Sequence, residues 1–205
     1  IIVLPMVFSE RDRLGGDMSF IETIAGNGVI IAQTGSTQTD RNAVPRGVAK
    51  IGDPLPYLFE WPGMLGPIPL LGMNADGVGV VNTAPEIDGV VRRVPLIMRV
   101  GDETYPSLAV EVIRLATGAP SYQIKAGAGG VEKIRIPGYP VVNTDPNGQI
   151  WLRWNKQFKR ISAAQEDWSA VQGKTVVVGI TADGIGGLIA LSLIHISEPT
   201  RPQAI

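Results

Sequence analysis

Glycine and proline cut this sequence into short apolar runs. With 25 Gly and 16 Pro in 205 residues, the texture is that of strands joined by turns, with a few helices between them. Hydrophobic residues make up 44% and charged residues 18%, enough apolar material to offset the entropy of ordering a core. A chain of this length is normally one domain.

Residues 1–8 are continuously apolar, as a strand covered on both faces would be; residues 10–17 read as loop and 28–32 as a second strand. From 33 to 69 the character changes. TGSTQTDRN is followed by Pro45, Pro54, Pro56, Pro62, Pro67 and Pro69, and proline lacks an amide donor and fixes its own backbone angle. That segment is therefore expected to be a surface excursion with little regular structure, its Tyr57, Phe59 and Trp61 covering part of the core.

A strand is expected at 77–82. Asp88-Gly89 reads as a turn opening one strand over 90–100, where alternation puts Arg92 with Val94, Leu96, Met98 and Val100, and Arg93 with Arg99 on the other face. The clearest helix follows, with Pro106 at its first position, Gly118 at its stop, and Leu108, Val112 and Leu115 at helical spacing. Strands at 132–136 and 150–154 flank a DPNG turn at 145–148. Ser162 and Gln165 have the form of a capping box opening a helix that ends near Gly173, and TVVVGIT reads as a buried strand before the loop ADGIGG. Together these predict an α/β fold: a mixed, partly parallel β-sheet covered by helices as a sandwich.

The ends of the sequence look unlike natural termini. It opens IIVLPMVF, as though a buried strand had been entered midway, which predicts an N-terminally truncated fold. Its last residues, SLIHISEPTRPQAI at 192–205, resemble translated sequencing-adapter read-through and are set apart as a non-native tail, leaving 1–191 as the domain. The sole histidine, His195, lies in that tail, and there is no cysteine. Without imidazole or thiol, the Ser-His-Asp triad, the Cys-His dyad and His- or Cys-based zinc sites are excluded from the remainder. Eighteen basic against nineteen acidic residues, with no basic run, argue against nucleic acid, and no window of about 20 apolar residues marks a membrane helix.

Four blocks then carry a resemblance. VNTAPEIDGVVRRVPLIMR, YPSLAVEVIRLATG, WLRWN with F-KRISAAQEDW, and GKTVVVGITADGIGG occur in the order and spacing of the type-two CHASE family, the cyclase/histidine-kinase-associated sensory extracellular domains. The resemblance runs from residue 1 to about 187; the family normally begins earlier, with a further strand and helix, and the proline-rich insert is more elaborate than is typical. It implies a non-enzymatic input domain on the periplasmic or extracellular side of a bacterial plasma membrane, anchored by helices absent here and joined to an adenylate cyclase, a histidine kinase or a similar output. It also implies an unidentified small-molecule or protein signal, a homodimer and no cofactor.

Asp88, Arg92 and Arg93 are the first candidate ligand-binding residues. An arginine on an apolar strand face is a ready bidentate clamp for carboxylate or phosphate; alternatively, Arg92 pairs with Asp88 and fixes the entry into the strand. Thr181 and Asp183 belong to a loop beyond a strand's carboxyl end, where α/β proteins bind ligands and where a plain turn also fits. Trp154 is a candidate rim or stacking residue, on the face opposite Trp151. Asp145, Asn147 and Gly148 hint at calcium, but a β-turn explains them. No residue is assigned as catalytic or metal-binding. A carboxylate-based hydrolase using residues such as Glu86 and Asp88, and a non-catalytic interaction domain, remain the competing classes.

Overall fold

The computed structural model describes residues 1–83, 86–152, 159–164 and 167–179. In chain order its elements begin with β1 (Ile2–Leu4), α1 (Asp17–Ile24), β2 (Val29–Ser36), β3 (Ala49–Ile51), β4 (Phe59–Glu60), β5 (Gly63–Leu65) and α2 (Pro69–Asn74). They continue through β6 (Gly77–Val80), β7 (Arg93–Pro95), β8 (Ile97–Val100), β9 (Glu103–Pro106) and α3 (Leu108–Ala116) to β10 (Gln123–Gly127), β11 (Gly130–Arg135), β12 (Val142–Asn143), β13 (Gln149–Trp151) and β14 (Val176–Val177). The fold is mixed α/β, with several sheets and few helices.

The principal sheet runs β14-β1-β2-β6 with every one of these neighbours parallel, and β5 joins the far end of β2 antiparallel. β6, with the sequence Gly-Val-Gly-Val, shows how it is covered. Val78 packs with Val29, Ile31, Ile21, Ile24 and Leu71 beneath α1 and α2. The glycines point the other way and let α3 approach: a Cβ on Gly79 would stand 2.5 Å from the Leu108 Cα, and one on Gly77 would meet Glu111 Oε2 at 2.8 Å. Period-2 alternation thus places two different packing chemistries on one four-residue strand.

A second sheet, β12-β11-β10-β3, and a third, β4-β8-β9, enclose another core built on Tyr122, Ile124, Ile134, Ile136, Ile97 and Val110. α3 joins the two cores. Ser107 caps it, its Oγ accepting from the Val110 amide at 3.4 Å, and Gly118 at φ 66 ends it.

Several expectations are corrected. The proline-rich segment 33–69 is not a structureless excursion: β3 pairs with β10, β4 with β8 and β5 with β2, so it ties three sheets together. Leu58 and Met64 from this segment are buried. The prolines are tolerated because they fall between strands or, like Pro69, at a helix start where no amide bond is lost. Tyr57, Phe59 and Trp61 do pack against the cores.

The single strand expected over 90–100 is two strands in different sheets. Pro95 ends β7, the Leu96 amide donates to Gly148 O, and the Leu96 carbonyl accepts from Ser107 N. Leu96, Ile97 and Met98 are buried consecutively, so alternation fails there. Pro106 does not begin the helix; it closes β9 opposite Ile97. On α3 the buried residues are Val110, Glu111 and Arg114, not Leu108, Val112 and Leu115.

The first strand spans only Ile2–Leu4, and Ile2 is 42% exposed. β14 is an edge strand whose Val177 is 66% exposed, not a buried one. Among the described residues no helix follows Ser162: its Oγ accepts from the Ala164 amide in a turn, Gln165 lies outside the described residues, and those beyond hold one short 3-10 turn at Ser169–Val171.

Candidate functional site

Two arginine clusters stand out. The first is the turn of residues 86–93, closed by the Gly89 amide donating to Glu86 O at 2.8 Å and the Glu86 amide donating to Val90 O at 3.1 Å. Arg92 places Nη2 2.7 Å from Asp88 Oδ2 and Nη1 3.0 Å from Asp88 Oδ1, a bidentate pair, with Glu86 Oε2 3.2 Å from Nη1. Arg93 donates from Nε to Glu86 Oε1 at 3.0 Å, reaches Asp145 Oδ2 at 3.5 Å, and lies over the Trp151 ring. Arg92 is therefore not on an apolar face; its side chain is 41% exposed.

The Arg92 hydrogen bonds, helped by the Val90 amide, hold the Asp88 carboxyl down to about 2. Asp145 explains the DPNG turn: its Oδ1 accepts from the Asn147 and Gln149 amides, both at 2.9 Å, which leaves Oδ2 for Arg93. Trp154, Thr181 and Asp183 lie outside the described residues. The structure thus brings Asp88, Arg92 and Arg93 together and adds Glu86, Asp145 and Trp151, which the sequence suggested only as a carboxylate candidate, a turn residue and a paired tryptophan.

The second cluster was not visible in the sequence. Glu111, fully buried on α3, accepts from Arg114 Nε at 3.1 Å and Nη2 at 3.0 Å, and stands 3.1 Å from Arg46 Nε. Arg114 also donates to Ala119 O at 3.2 Å and to Asp76 O at 2.7 Å. Nearby, the Tyr122 hydroxyl is buried with no hydrogen-bond partner among the described residues, and burial, reinforced by the Glu111 charge, pushes its pKa far up, so it stays a neutral phenol. The only available signal was Glu111 and Arg114 three apart on a helix, which ordinarily describes a solvated surface pair.

Two side-chain amides lock the carboxyl end of the principal sheet. Asn82 donates to Gly35 O at 2.9 Å and accepts from Gly35 N at 2.8 Å; Gln33 does the same to Val44 at 3.1 and 3.0 Å. Each stands in for a strand's backbone, pairing with both the amide and the carbonyl of a single residue. Among the described residues no group of acidic, His or Cys side chains is disposed to hold a metal ion, and no helix is long and apolar enough to cross a membrane.

What this arrangement offers is two clusters of paired arginines and carboxylates, one partly exposed and one buried. Compared with family models, the sequence matches the CHASE2 domain over residues 1–198. The chain belongs to the CHASE2 domain family. CHASE2 domains are extracellular sensory domains, so the arginine clusters belong to a sensory, non-catalytic scaffold. No curated protein and no solved structure matches the chain significantly.

Proposed function

We propose that this CHASE2 domain is the signal-recognising input module of a bacterial transmembrane receptor with an adenylate cyclase or histidine kinase output, and that it works as a homodimer. The match over residues 1–198 carries this reading. In it, the turn bearing Asp88, Arg92 and Arg93 is the surface offered to the signal, with Trp154, Thr181 and Asp183 assigned to the same role from sequence. A carboxylate or phosphate on the signal would take the place of Asp88 on the Arg92 fork, an exchange between chemically equivalent partners that needs little rearrangement in the open.

Two experiments test the reading. Alkaline phosphatase fused within the domain of the intact receptor should be active, as it is only outside the cytoplasm; an inactive fusion of normal abundance refutes the location. Arg92→Ala in that receptor should abolish the signal-dependent change in output. If the output still responds, the turn is architecture rather than a site.

A further inference from the structure

Five arginines of the described residues form ion pairs, and one of them differs from the rest. Arg92, Arg93, Arg99 and Arg114 each commit at least one Nη to a carboxylate or carbonyl oxygen of the chain. Arg46 meets Glu111 at Nε, 3.1 Å from Oε1, and neither of its Nη atoms makes a hydrogen bond among the described residues. Its side chain is 31% exposed, whereas its carboxylate partner is 0% exposed.

That arginine is nonetheless held in place. Its amide donates to Thr104 O at 3.0 Å, and its carbonyl accepts from Thr104 Oγ1 at 3.0 Å. Thr104 is itself buried, and Glu111 is fixed by three hydrogen bonds from Arg114. The guanidinium is anchored at its inner edge with its outer edge open, so a ligand meeting it loses little side-chain freedom. The charges also fail to balance: two guanidiniums share one carboxylate, leaving a positive charge in excess where solvent screens only one side. The neutral Tyr122 hydroxyl beside them supplies no compensating charge.

We propose that the outer edge of the Arg46 guanidinium is a binding site for a small oxyanion, a carboxylate or a phosphate, gripped through Nη1 and Nη2. The site is a property of the folded chain and stands whether or not the anion is the receptor's stimulus. It is distinct from the 86–93 turn, where both Nη atoms of Arg92 are already on carboxylates.

The test uses the whole 205-residue chain with sodium phosphate and sodium succinate as separate probes, at ionic strength held constant with sodium chloride. Calorimetry should show saturable binding of at least one probe, and which one binds distinguishes phosphate from carboxylate. Binding should weaken about tenfold or more in Arg46→Gln, less in Arg46→Lys, and not at all in Arg13→Gln, a change at an exposed arginine of the 10–17 loop. To keep the result independent of how the variants fold, the unmutated chain is labelled with phenylglyoxal and its peptides are weighed. Arg46 should be modified without anion and protected with it. Absence of saturable binding by both probes, equal binding in a folded Arg46→Gln, or modification of Arg46 that anion does not slow would each overturn the proposal. Because these readouts need no signalling, a receptor that fails to respond leaves the anion site standing, and the converse holds too.

Discussion

At the turn of residues 86–93, two guanidiniums meet three carboxylates, with Arg92 and Asp88 in the open and the Glu86 and Asp145 contacts part-buried; behind α3, two guanidiniums share one carboxylate that solvent does not reach. The residue types are the same and the physics is not. Exposed pairs gain little net energy because water and salt compete for each charge, so they exchange partners readily. A buried carboxylate has lost its hydration and depends on its partners for the whole replacement. The turn is therefore suited to responding and the buried cluster to holding, with Arg46, part in solvent and part on Glu111, between the two.

The largest consequence falls on the buried side, in the partners of Glu111. Glu111→Ala leaves Arg114 with an uncompensated buried charge and should cost about 3–5 kcal/mol, a fall in Tm of roughly 10 °C. Thermal unfolding followed by circular dichroism reads it directly. A loss no larger than that of an exposed pair would mean water reaches the cluster, and the contrast would collapse. Gly79→Ala comes next. Its Cβ would press on the Leu108 Cα at 2.5 Å and the Leu108 amide nitrogen at 2.8 Å, backbone atoms that yield only if α3 shifts, so about 1–3 kcal/mol should be lost in urea unfolding. A neutral result would mean that α3 sits more loosely on β6 than its buried ion pairs suggest.

Much of the parallel sheet was legible because its signals are local. The apolar runs at β1, β2 and β6, the glycine stop of α3, and the DPNG turn each follow from a few neighbouring residues. The family, too, was visible in four sequence blocks. What escaped was settled between distant residues. Nothing near Arg46 announces that its partner lies at position 111, and Glu111 and Arg114, three apart on a helix, have the ordinary form of a solvated pair although they lie on its buried side. The proline-rich segment was misread for the same reason: its strands are two or three residues long and exist only because β2, β8 and β10 offer ladders to pair with. In the turn, adjacency in sequence made Asp88, Arg92 and Arg93 visible, whereas Asp145 joined them only through tertiary packing.

Arg92→Ala supplies the matching measurement at the exposed cluster. It should move Tm by no more than about 2 °C, since both partners keep their water. A fall comparable with that of Glu111→Ala would place the turn among the elements that hold the fold, and would remove it as a responsive surface.

The smallest effect is a titration. Asp88 is held down to about 2 from its ordinary 3.8 by Arg92 first and the Val90 amide second. Because the folded value lies below the unfolded one, the pair favours the folded turn above the ordinary carboxylate range and is lost as pH falls through about 2. Carbon-detected NMR of the Asp88 carboxyl should therefore show a midpoint near 2 in the unmutated chain. In Arg92→Gln the midpoint should return part of the way towards 3.8, the Val90 amide retaining the remainder. If the midpoint does not move, the turn's own backbone sets the charge of Asp88, and a ligand taking Arg92 would leave that carboxylate undisturbed, so the exchange proposed for the turn would have no electrostatic consequence to transmit.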